Sequence, residues 1–121
     1  MYVYDKANEL ARAIKESKEY IAMQEAKEAV AAKSEYMDMV KEFMKAQINI
    51  QTMTMMGSEV DEGTKEGFNA LYTSVMNVEA CRKYIEAQNI FGRMIQDVYQ
   101  IIGDAGDIMN EIFKDMMGEA N

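Results

Sequence analysis

Three observations predict an all-α fold for this chain. Its 121 residues include no proline, so nothing in the sequence forbids helix at any position. Its long stretches are rich in Ala, Glu, Lys, Met and Gln, the residues that lose least conformational freedom in a helix. Its C-terminal part keeps one hydrophobic rhythm, with alternating spacings of three and four through Cys81, Tyr84, Gln88, Phe91, Ile95, Val98, Ile102, Ala105, Met109, Ile112 and Met116. Only Gln88 interrupts the apolar character of that stripe, and a stripe of such length requires another helix against it. The expected architecture is an antiparallel helical bundle with a long C-terminal helix, a single domain over residues 1–121 that pairs with a second copy.

The elements follow in order. Tyr4, Ala7, Leu10, Ala11 and Ile14 share one helical face, with Asp5 near the start, where negative charge complements the helix dipole. Ser17 then interrupts a charged stretch before the apolar phase resumes at Tyr20, Met23, Ala26 and Val30, which predicts a cap or bend at Ser17. Ser34 is the next expected cap. The helix after it has two apolar rows, Tyr36, Met39, Phe43, Ala46, Ile50 and Met53 beside Met37, Val40, Met44, Ile48 and Met55, a face wide enough to meet neighbours on two sides. Gly57 is expected to end it, and residues 57–67, with three glycines and four acids, read as a loop. A short helix then buries Phe68, Leu71, Tyr72, Val75 and Met76. Asn77 is the expected cap of the final helix, with Glu79 in its first turn and a Glu79–Lys83 pair. Gly103 and Gly106 each weaken that helix by about 1 kcal/mol relative to alanine. The heptad phase nevertheless passes through both, which favours a continuous, weakened helix over residues 104–118, with a hinge at 103–106 as the competing reading.

Composition removes most catalytic chemistry. The chain contains no histidine, hence no imidazole base, no Ser-His or Cys-His pair and no Glu-x-x-His di-iron element. One cysteine, Cys81, excludes an intrachain disulfide and a cysteine-only metal site within one chain, and suits a reducing cytoplasm. On the stripe, Cys81 reads as a small apolar packing residue. A net charge of −8 disfavours nucleic acid and anionic lipid as partners, and the acidic polar face of residues 105–117 disfavours a membrane-surface helix. The longest uncharged run, residues 46–58, is short and contains Gln, Asn and Thr, and no basic patch precedes an apolar stretch near the N-terminus, so neither a membrane span nor a secretion signal is expected. Arg82, Lys83 and Arg93 form a small basic island against Glu86, read as a collar around a helix start.

The order and spacing of several motifs resemble the YheA/YlbF/YmcA group of small helical proteins from low-GC Gram-positive bacteria, closest to the YheA branch. They are Tyr4-x-x-Ala7-x-x-Leu10-Ala11-x-x-Ile14-x-x-Ser17-x-x-Tyr20, then Phe43-x-x-x-Gln47-x-x-x-Gln51 running to Gly57, then Asn77, Tyr84, Ala87, Phe91 and Val98-x-x-Ile101-Ile102-Gly103. The resemblance covers roughly residues 2–103. It implies an all-α, self-associating cytoplasmic protein without known enzymatic activity. The YlbF and YmcA branches act as adaptors that join a third protein in a complex linked to competence, sporulation, biofilm formation and ribonuclease-dependent RNA maturation. That complex carries iron–sulfur clusters on cysteines, whereas the tail of this chain, Lys114-Asp-Met-Met-Gly-Glu-Ala-Asn121, has none, so no cofactor is expected.

The functional expectation is therefore a non-enzymatic adaptor or regulatory protein whose partners are a second copy of itself and another protein. Tyr84, Phe91, Ile95, Val98, Ile102, Met109, Ile112 and Met116 would form its dimer or partner seam. Its thirteen methionines mostly fit core positions, but Met53, Met55, Met56 and Met117 cluster in a way that suits an adaptable contact patch. The competing class is a small carboxylate-based metal- or ligand-dependent enzyme. Its candidates are Asp104, Asp107, Glu111 and Asp115 on one ridge, and pairs such as Glu25 with Glu28 or Asp61 with Glu62. A solvated acidic face is the simpler account of the ridge, because helix-mounted carboxylates without loop carbonyls make a poor cation cage, and chance pairing in an acid-rich chain accounts for the pairs.

Overall fold

The computed structural model describes residues 1–119, with the side chains of all of these except 108–110 and 119. Helices alone make up its regular structure among the described residues: α1 (Tyr2–Glu16), α2 (Lys18–Ala31), α3 (Ser34–Met55), α4 (Glu62–Met76), α5 (Glu79–Ala105) and α6 (Ile108–Glu119).

Ser17 divides α1 from α2 and serves both. Its backbone is extended (φ −68°, ψ 149°), its hydroxyl donates to the Ile14 carbonyl at 2.6 Å, and the same oxygen accepts from the Tyr20 N–H at 3.2 Å. One side chain thus adds a second donor to the Ile14 carbonyl, which the Ser17 N–H also reaches at 3.2 Å, and satisfies an orphan donor of the next helix. At the α2–α3 junction the expected cap is displaced. Lys33 (φ −129°, ψ 123°) holds the N-cap position without a side-chain cap, and Ser34 is already the first helical residue. The Lys33 ammonium instead lies 5.0 Å from the centre of the Tyr36 ring.

Gly57 ends α3 in a left-handed conformation (φ 77°). Its N–H donates to the Thr54 carbonyl and that of Ser58 reaches back to Met53 at 2.9 Å, the paired bonds of a Schellman terminus. The loop that follows is shorter than residues 57–67. Asp61 starts α4 by accepting from the Thr64 N–H at 2.7 Å, and this cap draws Gly63 and Gly67 into the helix. The bond also holds the Asp61 carboxyl below its ordinary pKa.

Asn77 does not cap α5; it closes α4, and extended Val78 (φ −100°, ψ 114°) begins α5. Arg82 of the basic island donates to the Met76 carbonyl at 3.3 Å, joining the end of α4 to the start of α5, while Lys83 meets Glu79 at 3.0 Å. The expected continuous tail helix is broken. The Gly106 N–H turns back to Ile102 and Gly103 and α6 begins at Ile108, so the hinge reading describes the backbone. Gly103 stays inside α5, and the stop falls where a second glycine and the carboxylates Asp104 and Asp107 meet the negative end of the helix dipole.

The core lies where α2, α3, α4 and α5 converge. Val30, Val40, Phe43, Val75, Cys81 and Ile85 are buried there, with Tyr36, Met37, Met39, Met44, Phe68 and Leu71 among the residues packed around them. Phe43 stacks on Phe68 with ring centres 5.4 Å apart. Tyr72, expected inside, is 48% exposed and meets Phe43 only at a tilt. The most extensive helix pair is α2 with α5, where Tyr20 meets Phe91 edge-on at 5.7 Å. Farther along that pair Ala22, Ala26 and Ala29 stand opposite Ala80 and Ala87 around a shallow hollow of about 360 Å³. α1 packs on α2 alone, and α6 packs on no other helix among the described residues.

Two substitutions and one titration test this account. Nothing stands near a Cβ at Gly57 or Gly67. Gly57→Ala should therefore lose about 1–2 kcal/mol to backbone strain alone, whereas Gly67→Ala, inside α4, should gain about 0.5–1 kcal/mol in denaturant melts. Because the Asp61 pKa is lowered on folding, its contribution is present above the ordinary Asp range and lost as pH falls through the folded value. The melting-temperature loss of Asp61→Ala should accordingly be full at neutral pH and vanish in strong acid.

Candidate interaction surface

The α5 stripe divides into a covered half and an open half. Cys81 is fully buried, and Tyr84, Gln88, Phe91, Ile95 and Val98 are half-buried, Tyr84 against the core cluster and Phe91 against Tyr20. From the next turn the cover is lost: Ile102 is 53% exposed, Ile112 48% and Met116 63%. Met109 falls among the side chains outside the described residues. The change coincides with the Ser17 break. α2 accompanies α5 as far as that bend, while α1 beyond it stands off from α5 and packs only on α2.

Between α1 and the C-terminal half of α5 lies an open groove of about 430 Å³, lined by Val3, Lys6, Ala7, Leu10, Ala11, Ile14, Val98, Tyr99 and Ile102. Among the described residues Lys6 is its only charged wall residue, and its ammonium is drawn aside to Glu9 at 3.1 Å. The α1 face was legible in the sequence as a helical stripe, but its part in the site was not. Tyr99, a groove wall, and Phe113, exposed on α6, were missed because both sit one residue off the heptad. The methionines of the expected patch are divided between two helices. Met53 is half-buried, Met55 and Met56 are exposed at the end of α3, and Met117 is exposed on α6, a helix that does not pack on α3 among the described residues.

The total exposed surface gives these local features a scale. A compact monomer of 13.8 kDa exposes roughly 6,600 Å² by the usual size scaling. This chain exposes 9497 Å². The surplus of about 2,900 Å² is several times the ~800 Å² that each partner contributes to an ordinary stable interface.

Among the described residues no three of Cys, Asp and Glu are placed to share a metal ion. The ridge of Asp104, Asp107, Glu111 and Asp115 is divided by the Gly106 turn. Glu79 has its pKa lowered by its hydrogen bond to Lys83 and by the charges of Lys83 and Arg82, as in any exposed ion pair. Burial raises the pKa of the Cys81 thiol, which lies 3.7 Å from the Tyr36 carbonyl it faces as donor. A lone buried thiol committed to a backbone oxygen does not suit ligation of an iron–sulfur cluster. No helix among the described residues is long and apolar enough to cross a membrane.

Residues 3–105 match the family described as control of competence regulator ComK, YlbF/YmcA. The chain belongs to the YlbF/YmcA family. UPF0342 proteins are similar to it along almost their whole length. That of Symbiobacterium thermophilum is 38% identical over 88% of this chain and 95% of its own, and that of Desulfitobacterium hafniense is 35% identical over 87% and 85%. A Bacillus stearothermophilus protein of unknown function (DUF964) has a similar fold, with a TM-score of 0.73 and 16% identity over 91% of this chain and 96% of that one. The YlbF/YmcA match ends at residue 105, where α5 ends, so α6 lies beyond the matched region.

The burial of Cys81 sets an expectation for this family member. In native protein near pH 8 its thiol should resist iodoacetamide, and it should react promptly once urea opens the core. Rapid labelling of the folded chain would show that the joint around Tyr36 opens readily.

Proposed function

We propose that this chain is a non-enzymatic cytoplasmic regulatory protein that acts as an adaptor through protein–protein contacts, the first of them with a second copy of itself. In this reading each protomer is an antiparallel bundle, and Val98, Ile102, Ile112 and Met116 supply the seam between protomers. The carrying observation is the uncovered apolar groove between α1 and α5, within a chain that exposes far more surface than a compact monomer. Residues 20 and 91 meeting near one end of the α2–α5 pair and residues 26–29 lying opposite 80–87 farther along support the antiparallel course. Membership of a family described through control of a competence regulator supports the regulatory role, and the want of a convergent acid–base or metal cluster among the described residues agrees with it.

Sedimentation equilibrium tests the reading. Wild type should sediment at twice 13.8 kDa at micromolar concentration. Ile102→Glu, which places a charge in the groove wall, should weaken pairing at least tenfold, about 1.4 kcal/mol, while leaving the helical circular dichroism unchanged. A wild type that stays monomeric at several hundred micromolar would remove self-association from the proposal.

A further inference from the structure

We propose that the groove between α1 and α5 is occupied by α6 of a second copy, each chain giving its α6 to the other in a closed two-fold exchange. The inference rests on the self-association just described and names the segment that carries it. Two unpartnered apolar surfaces exist in the same chain and they match. α6 presents Ile112, Phe113 and Met116 to solvent and packs on no helix of its own chain among the described residues. The groove presents Val3, Leu10, Ile14, Val98 and Ile102 around a floor of Ala7 and Ala11, small enough to admit a helix closely.

Their dimensions agree. From Ile108 to Glu119, α6 runs about 17 Å, and the groove wall of α1 from Val3 to Ile14 spans the same number of residues and the same length. Their charges agree as well. The groove-lining positions on α1 are bordered by Lys6 on one side and Lys15 on the other, whereas Asp5, Glu9 and Glu16 fall on the opposite face at 100° per residue. The incoming segment is acidic, with Asp107, Glu111 and Asp115 against Lys114; Asp115 is the acid nearest its apolar face, and Asp107 and Glu111 lie on its outer side. A reciprocal exchange fills both grooves with one symmetric contact, and the surplus exposed surface of each chain exceeds what such a contact must bury.

Cysteine pairing tests the seating in full-length protein with Cys81→Ser. Tagged chains carrying Ala7→Cys are co-expressed with untagged chains carrying either Ile112→Cys or Met116→Cys, and the purified protein is oxidised with copper phenanthroline. The expected result is a disulfide joining a tagged to an untagged chain. Disulfides only between two Ala7→Cys chains would mean that groove meets groove, and would overturn the seating. So would a pair that closes only within one chain carrying both substitutions, which would mean that α6 folds back on itself. A second variant, Ile112→Asp with Met116→Asp, should weaken the dimer at least tenfold in sedimentation equilibrium. A dimer of unchanged affinity would overturn the α6 seating alone, whereas a monomeric wild type would remove self-association and the seating together.

Discussion

The fold depends on one joint, the meeting of Val30, Val40, Val75 and Cys81, each nearly or wholly excluded from solvent. These four residues come from α2, α3, α4 and α5, so a single contact region fixes the relative placement of four helices. A pack of valines and one thiol leaves little slack. Branched side chains have few rotamers, and the Cys81 thiol is held to the Tyr36 carbonyl. Phe43 and Ile85 extend the joint along α3 and α5, and the core goes little farther. A domain of this length with so small a centre derives much of its order from helix termini, which explains why Ser17, Gly57, Asp61 and Arg82 each satisfy backbone groups that would otherwise be orphaned.

Helix content, the Ser17 division and the Gly57 stop were legible in the sequence because each rests on local chemistry: a periodicity, a hydroxyl acceptor, a residue at ease with positive φ. The misplaced boundaries share one pattern. Ser34 and Asn77 have the side chains a cap needs, but Lys33 and Val78 hold the extended backbone of the N-cap position, one residue away in each case. Asp61 was overlooked as a cap because the surrounding glycines and acids resemble a loop, and the glycines proved compatible with helix once that cap was in place. In the tail the periodicity passed over a break in the backbone. A heptad count follows side-chain position and carries no record of a backbone turn that spans whole residues.

The candidate surface was half legible. The stripe on α5 is where the sequence put it, but one helical period serves two purposes: core at Cys81 and Tyr84, and open apolar groove wall at Val98 and Ile102. Periodicity cannot separate these, since both require the same residues at the same spacing. The division is tertiary, set by where α2 ends and α1 turns away. The agreement between the end of the YlbF/YmcA match and the end of α5 gives the division a further meaning. The matched region ends with α5, and the turn at Gly106 and α6 lie beyond it.

The alanines between α2 and α5 bear on how this protein can change. Ala22, Ala26, Ala29, Ala80 and Ala87 border a hollow that they do not fill. Truncation, the commonest way for a buried site to lose stability, has almost nothing to remove here, and enlargement has free volume to enter. The hollow is thus insensitive to the usual direction of mutational damage and open to the opposite one, whereas Val30, Cys81 and Ile85 of the same helix pair are where truncation costs stability. It is a reserve of unclaimed packing from which the chain can gain stability to offset losses incurred where its exposed surfaces are reshaped.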